Sequence, residues 1–334
     1  MNASRVASLH VSSTSIAVAT PEQAKETVSA LLTQVGRALE GKERVVELAI
    51  TSLLARGHLL VEDVPGVGKT TLARALARSL GVPFRRLQFT SDLLPADVLG
   101  GSIYEPQTGR LTFRPGPVFT SVLLADEINR ATPRTQSALL EAMEERRVSL
   151  EGETRILEEP FFVVATQNPE EFHGTYPLPE SQLDRFLVRV EVGYPPPDVE
   201  RRVLRERRGD GIVEKLDAVV TREALLSAQA AADAVRTEDV IVAYAHELVL
   251  ATRASSFFEL GASTRAAISL LAAVRAHALV KGRSYAVPDD VKALIVPVLG
   301  HRVRLKGARL GEARGRAESL RALADLVDRV PVPV

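Results

Sequence analysis

The 334-residue chain contains no cysteine and no tryptophan, and only 4% of it is aromatic. Without thiols there is no disulfide, iron–sulfur cluster or thiolate zinc site, a composition suited to a reducing compartment. An excess of one charge is missing too. Lys plus Arg and Asp plus Glu both number 42, so no global field drives binding to nucleic acid or anionic lipid, and any such contact must be a local patch. The six histidines are scattered, with none paired at metal-ligand spacing. No apolar run approaches the ~18–20 residues of a membrane span. Met1 to Thr20 is broken by Ser, Thr, Arg5 and His10 where a signal peptide would carry an apolar core. The expected location is cytoplasmic, with no membrane span.

What remains is an ordinary globular composition, 46% apolar and 25% charged, and at roughly 150 residues per domain the length predicts about two domains. Residues 1–20, rich in Ser, Ala and Thr, predict a poorly ordered leader. From Pro21, Ala24, Val28, Leu31, Leu32 and Val35 recur at helical spacing, and a second helix is expected over Val45 to Leu54. Five short β-type runs follow, His58 to Val61, Phe84 to Phe89, Val122 to Ala125, Phe161 to Ala165 and Phe186 to Val190, separated by helical segments. That alternation predicts an α/β fold on a parallel sheet. Turn residues inside 103–113 and 147–157 predict two hairpins projecting from it. Pro195-Pro196-Pro197 ends the sheet domain, and the Ala-, Leu- and Arg-rich remainder, 198–334, predicts a helical domain.

The strongest chemical signal is Asp63-Val64-Pro65-Gly66-Val67-Gly68-Lys69-Thr70-Thr71, between a strand and the expected helix Leu72 to Leu80. Gly66 and Gly68 permit turns that aim successive N–H groups at phosphate oxygens, and the helix N-terminus adds partial positive charge. Lys69 is suited to β and γ phosphates and Thr70 to Mg²⁺, while Pro65, Val67 and Thr71 complete the cradle. Asp63 stands where the usual pattern has its first glycine. Farther on, Val122 to Ala125 runs into Asp126-Glu127. Alone this pair reads as a solvated strand end. After a phosphate loop it reads as Asp126 holding Mg²⁺ with Thr70, and Glu127 polarising the attacking water. Asn168, in Gln167-Asn168-Pro169, reads either as a turn residue or as an amide facing the γ-phosphate. Arg185 reads either as a surface ion pair or as an arginine inserted into a neighbouring subunit's site. Arg265, at a helix start in the second domain, is open between a surface role and a reach across to the γ-phosphate. The late basic stretch, Arg302, Arg304, Lys306, Arg309, Arg314 and Arg316 against Glu312, has no interleaved aromatics and is expected to be a solvated face or a subunit contact rather than a nucleic-acid site.

Together these residues resemble the MoxR family of AAA+ ATPases from about Pro21 onward. The resemblance is carried by Gly57-His58-Leu59-Leu60-Val61-Glu62-Asp63-Val64-Pro65-Gly66, Phe113-Arg114-Pro115-Gly116-Pro117-Val118-Phe119, Asp126-Glu127-Ile128-Asn129-Arg130, Ala165-Thr166-Gln167-Asn168-Pro169 and Gly174-Thr175-Tyr176-Pro177-Leu178-Pro179-Glu180. It implies an AAA+ core over 21–195 with sheet order 5-1-4-3-2, a helix-2 insert at about 103–113, a presensor-1 hairpin at about 147–157, and a helical lid. It further implies ATP and Mg²⁺ as ligands, Asn168 as sensor 1, Arg185 as arginine finger and Arg265 as sensor 2. The implied assembly is a homo-oligomer, typically a hexamer, that remodels a protein client or inserts a metal alongside a von Willebrand factor A domain protein. A nucleic-acid motor and a magnesium-chelatase-type subunit are the rival readings.

Overall fold

The computed structural model describes residues 18–168, 174–206, 211–307 and 313–332. Most of the expected leader lies outside them. Its last residue has a definite role, because Thr20 caps the first helix: its hydroxyl accepts the Gln23 N–H at 3.3 Å and Gln23 Oε1 accepts the Thr20 N–H at 3.0 Å. Pro21 then occupies the first helical position, where a missing N–H costs nothing.

Helices α1 (Pro21–Ala38) and α2 (Glu43–Leu54) lead into β1 (Leu59–Glu62), α3 (Lys69–Leu80) and β2 (Phe84–Gln88). A short α4 (Pro95–Leu99) opens the first hairpin, β3 (Gly100–Glu105) and β4 (Arg110–Pro115). Then come β5 (Val122–Asp126), α5 (Pro133–Glu145), the second hairpin β6 (Arg147–Leu150) and β7 (Glu153–Ile156), β8 (Phe162–Gln167), α6 (Glu180–Leu183) and β9 (Val188–Val190). The main sheet is parallel in the order β2-β5-β8-β1-β9. Counting only its own strands, that is the expected 5-1-4-3-2.

Alternation along the strands divides two apolar layers. Leu59, Val61, Leu124, Phe162 and Val164 face α1, α2 and α3, whereas Leu60, Leu123, Ala125, Val163 and Ala165 face α5. Both faces of the central strands are therefore covered, which is why those strands read as continuous apolar runs. At the edge, β2 carries Arg85, Arg86 and Gln88.

Beyond the proline triplet lie α7 (Pro197–Glu206), α8 (Gly211–Glu214), α9 (Arg222–Asp233), α10 (Asp239–Ala254), α11 (Thr264–Val280), α12 (Pro288–Leu299) and α13 (Ala313–Arg329). A small antiparallel ribbon, β10 (Phe258–Leu260) with β11 (Arg304–Leu305), is threaded among them. Helical periodicity gave no sign of it, because two- and three-residue strands carry no period. The lid helices and the α1/α2 layer share one apolar core, with Leu270, Val274, Leu294 and Ile295 joining Leu31, Ile50 and Leu53. Each such fully buried side chain contributes about 1.5–3 kcal/mol. Among the described residues, no helix is long and apolar enough to cross a membrane.

The basic stretch departs from expectation. Arg302 is 5% exposed, and Arg304 pairs with Glu180 and Glu259. Neither is a solvated face, because both guanidinium groups serve acceptors within the chain. Lys306 is exposed; Arg309 and Glu312 lie outside the described residues.

Candidate functional site

The phosphate loop leaves the C-terminal end of β1, and α3 begins at Lys69, three residues earlier than its apolar period suggests. Gly66 and Gly68 take φ of 85° and 98°. A Cβ at Gly66 would meet nothing within 4 Å, so glycine is needed there for backbone conformation and not for space. Lys69 Nζ donates to the Asp63 carbonyl at 2.6 Å. Val67 is buried, Pro65 is exposed, and Thr70 and Thr71 are half-buried in the first turn of α3.

Asp63 explains its own departure from the usual glycine. Its Oδ1 accepts the Val64 N–H at 2.8 Å, and its Oδ2 accepts the Gly193 N–H at 2.6 Å. The side chain fastens the loop to the segment leaving β9, a task glycine cannot perform.

Two acids stand at the C-terminal end of β5, on the same edge of the parallel sheet from which the loop leaves β1. Asp126 is 9% exposed: its Oδ1 accepts the Thr166 hydroxyl at 2.6 Å, and its Oδ2 accepts Arg86 Nη2 at 2.6 Å and Nε at 3.0 Å. Glu127 sits at φ 56° and ψ 49°, a left-handed conformation that costs a non-glycine residue about 1–3 kcal/mol and concentrates at functional sites. The surroundings hold it there. Its N–H donates to Thr166 Oγ1 at 2.9 Å, its Oε2 accepts Gln88 Nε2 at 2.8 Å, and Arg130 Nε lies 2.8 Å from the same oxygen. Asn168 follows directly on β8, half-buried. Behind it, buried Glu62 accepts from Gln167 on β8 and Arg189 on β9, tying the base of the loop to both neighbouring strands.

The two remaining arginines lie elsewhere. Arg185 Nε is 3.1 Å from Glu144, and Arg265 donates to the same carboxylate and comes within 4.0 Å of Asp184. Arg265 holds the Glu144 carboxyl below its usual range, chiefly through that hydrogen bond. Glu144 belongs to the end of α5. The neighbouring Met143 carbonyl meets His58 Nε2 at 3.2 Å, and the Leu187 N–H donates to the His58 carbonyl at 2.9 Å. This cluster therefore sits where β1 begins, whereas the loop leaves where β1 ends, about 13 Å away for a four-residue strand rising about 3.3 Å per residue. The structure thus brings Lys69, Thr70, Asp126, Glu127 and Asn168 to one sheet edge and sets Arg185 with Arg265 at the other.

Arg86, Gln88 and Thr166 were not found from sequence. Gln88 and Asp126 stand in register on paired strands, as do Leu87 and Ala125, so the signal was polar residues at alternate positions of an edge strand beside an acid-terminated one. It becomes legible only when the pairing of β2 with β5 is known.

The donor set also fits a metal–nucleotide. Among the described residues, no three His, Cys, Asp or Glu gather as ligands, so an ion near Thr70 and Asp126 would need phosphate oxygens to complete its shell, as Mg²⁺ commonly does.

Residues 58–188 match the ATPase family associated with various cellular activities (AAA), and residues 250–322 match the AAA lid domain. The chain is 46% identical to YeaC of Bacillus subtilis, over 90% of this chain and 93% of that protein. It is 42% identical to the chaperone MoxR1 of Mycobacterium tuberculosis, over 84% of this chain and 76% of that one. A crystal structure from Cytophaga hutchinsonii superposes with a TM-score of 0.84 at 32% identity, covering 94% of this chain and 97% of the other. With relatives this similar across most of their length and a glycine-rich loop between β1 and α3, the chain belongs to the MoxR family of AAA+ ATPases.

Proposed function

We propose that the chain works as a ring in which each ATP lies between two copies: one supplies the phosphate loop and its acids, the next supplies Arg185 and Arg265. The observation that carries this reading is the separation of the arginine pair from the phosphate loop by the length of the sheet. Their place at that edge, away from their own loop, suits a head-to-tail contact, which closes into a ring when the rotation is right. Arg265, which the resemblance matches to sensor 2, shares Glu144 with Arg185, and that place supports a role toward the neighbour's γ-phosphate.

Within one site, Lys69 and the loop N–H groups bind the phosphates, and Thr70 and Asp126 hold Mg²⁺. The bound ion supplies neutralisation of phosphate charge. Glu127, held by Gln88 and Arg130, orients and deprotonates the attacking water, and Asn168 donates its amide toward the γ-phosphate. Arg185 neutralises charge that develops on the transferring group, an effect worth about 10³–10⁵ in rate in other phosphoryl-transfer enzymes.

The work done by this cycle, on this reading, is chaperone-like remodelling or metal-loading of a protein client by a cytoplasmic hexamer, alongside a von Willebrand factor A domain partner. Two cations of the basic stretch are engaged internally, which weakens the nucleic-acid rival. The test pairs Lys69→Ala with Glu127→Gln: the first should lose ATP binding in calorimetry, the second should bind ATP and turn it over at least about 100-fold more slowly. Rapid turnover by Glu127→Gln overturns the assignment of the base.

A further inference from the structure

Arg302, in the turn that follows α12, is nearly inaccessible to solvent, yet none of its five N–H donors lacks an acceptor. Nε donates to Asp184 Oδ1 at 2.6 Å. Nη1 donates to the carbonyls of Val298 at 2.6 Å and Leu187 at 3.2 Å. Nη2 donates to the carbonyls of Asp184 at 3.0 Å and Phe186 at 2.8 Å. Apart from Val298, on the helix that precedes it, every acceptor flanks Arg185, one residue before it and one or two after. The neighbours of Arg302 add to the grip: His301 Nε2 lies 2.9 Å from the Phe186 carbonyl, and Arg304 pairs with Glu180 at the head of α6.

We propose that Arg302 is a positioning residue for Arg185: the lid arginine fixes the backbone on both sides of the finger, so that the orientation of the lid sets where the finger points. This rests on the reading of Arg185 as the residue that meets a neighbour's nucleotide. The physical basis is the planar fork. A guanidinium holds its donors in fixed mutual directions, so the three carbonyls and one carboxylate of residues 184–187 bound to it hold fixed positions relative to the Val298 carbonyl. A lysine at the same place is a point charge with three rotatable donors and imposes no such geometry. The segment 184–187 therefore cannot shift against α12 without leaving buried donors and acceptors unpaired, which is costly. Lid movement is delivered to the backbone around Arg185 chiefly through this side chain, which makes five hydrogen bonds to that segment and its own neighbourhood. Arg265, itself a lid residue, shares Glu144 with Arg185 and moves with the same body.

The experiment is a double-mutant cycle on the full-length assembly with Arg302→Lys, Arg185→Ala and both together, reading kcat, the affinity for a non-hydrolysable ATP analogue, and assembly by sedimentation. Arg302→Lys should lower kcat about 10- to 100-fold, as small misplacements of a catalytic group do, while analogue affinity and assembly stay within about twofold of wild type. In the Arg185→Ala background, the same change should lower kcat by less than about twofold, because the group it positions is gone. Unchanged kcat in Arg302→Lys overturns the proposal, and so does an equal loss with and without Arg185, which is the mark of a merely structural role. Should Arg302→Lys fail to fold, Asp184→Asn, which keeps the shape and removes the charge Arg302 faces, takes its place in the same cycle. If Arg185→Ala alone retains full turnover, the finger reading falls and this proposal falls with it, a result visible before any lid variant is examined.

Discussion

Thr166 shows how much one hydroxyl can organise. It donates to Asp126 and accepts the N–H of Glu127, so the two acids of β5 are held by a residue on the neighbouring strand. Thr166→Val preserves shape and removes both bonds. It should cost about 1–3 kcal/mol in a urea melt, because a buried acceptor and a buried N–H are left unmet, and it should lower kcat more than it raises KM. Asp63 makes a similar point about sequence patterns. The phosphate loop was legible because its residues are consecutive, and the departure at Asp63 became intelligible only with Gly193 beside it, 130 positions away. Arg86, Gln88 and Thr166 went unread for the same reason, since each acts across a strand pairing that a linear reading does not contain.

Among the elements, the two hairpins were legible from their turn residues, but their linkage was not. Ser102 on β3 donates to Glu151 in the second hairpin, and the Arg155 guanidinium lies 3.7 Å from the centroid of the Phe113 ring on β4. At the base of the first hairpin, a Cβ on Gly116 would come within 2.4 Å of the Gly100 N and the Val98 carbonyl oxygen. Gly116→Ala should therefore force the hairpin off α4, seen as faster proteolysis within 100–116 and a lowered melting temperature.

The helices α2, α11 and α12 meet at a charged knot. Buried His277 lies 2.7 Å from both Glu47 and Asp290, with Arg44, Lys281 and Arg283 around the two acids. Burial alone would lower the His277 pKa, but its hydrogen bonds to Asp290 and Glu47 outweigh that and raise it. Burial works to raise both carboxyls as well, and the hydrogen bonds from His277, Lys281 and Arg283 bring each down to about 2. The signs follow from linkage. The His277 contribution is full below its unfolded value of 6.5 and is lost as pH rises through the raised folded value; those of Glu47 and Asp290 are present above about 4.5 and are lost toward pH 2. The stability difference between wild type and His277→Gln should thus shrink in urea melts as pH rises above 6.5. His58 acts oppositely. Burial, then the Arg146 charge, lowers it to about 3, so folding holds it neutral and loses stability as pH falls below 6.5.

For the molecule as a whole, the α/β order and the helical character of the second half were readable from periodicity and punctuation, whereas the order of the strands came from the family resemblance. What was not readable is that the lid and the α1/α2 layer form one apolar core, and that Arg302 and Arg304 turn inward. A run of arginines looks the same in sequence whether its partners are water or the carbonyls of a distant turn. The consequence for function is directional: one edge of the sheet carries the nucleotide loop, and the opposite edge carries Arg185 and Arg265 on a single carboxylate. On the proposed reading, such a molecule has complementary ends and needs a neighbour to complete its site.

The most direct measurement mixes two variants that the account predicts to be inactive alone. Lys69→Ala keeps the arginines and lacks a working loop; Arg185→Ala keeps the loop and lacks the finger. ATP hydrolysis should return when equal amounts are combined and allowed to exchange subunits, because roughly a quarter of head-to-tail interfaces then pair an intact loop with an intact finger. A mixture that co-assembles and yet stays as inactive as its two components would contradict the account.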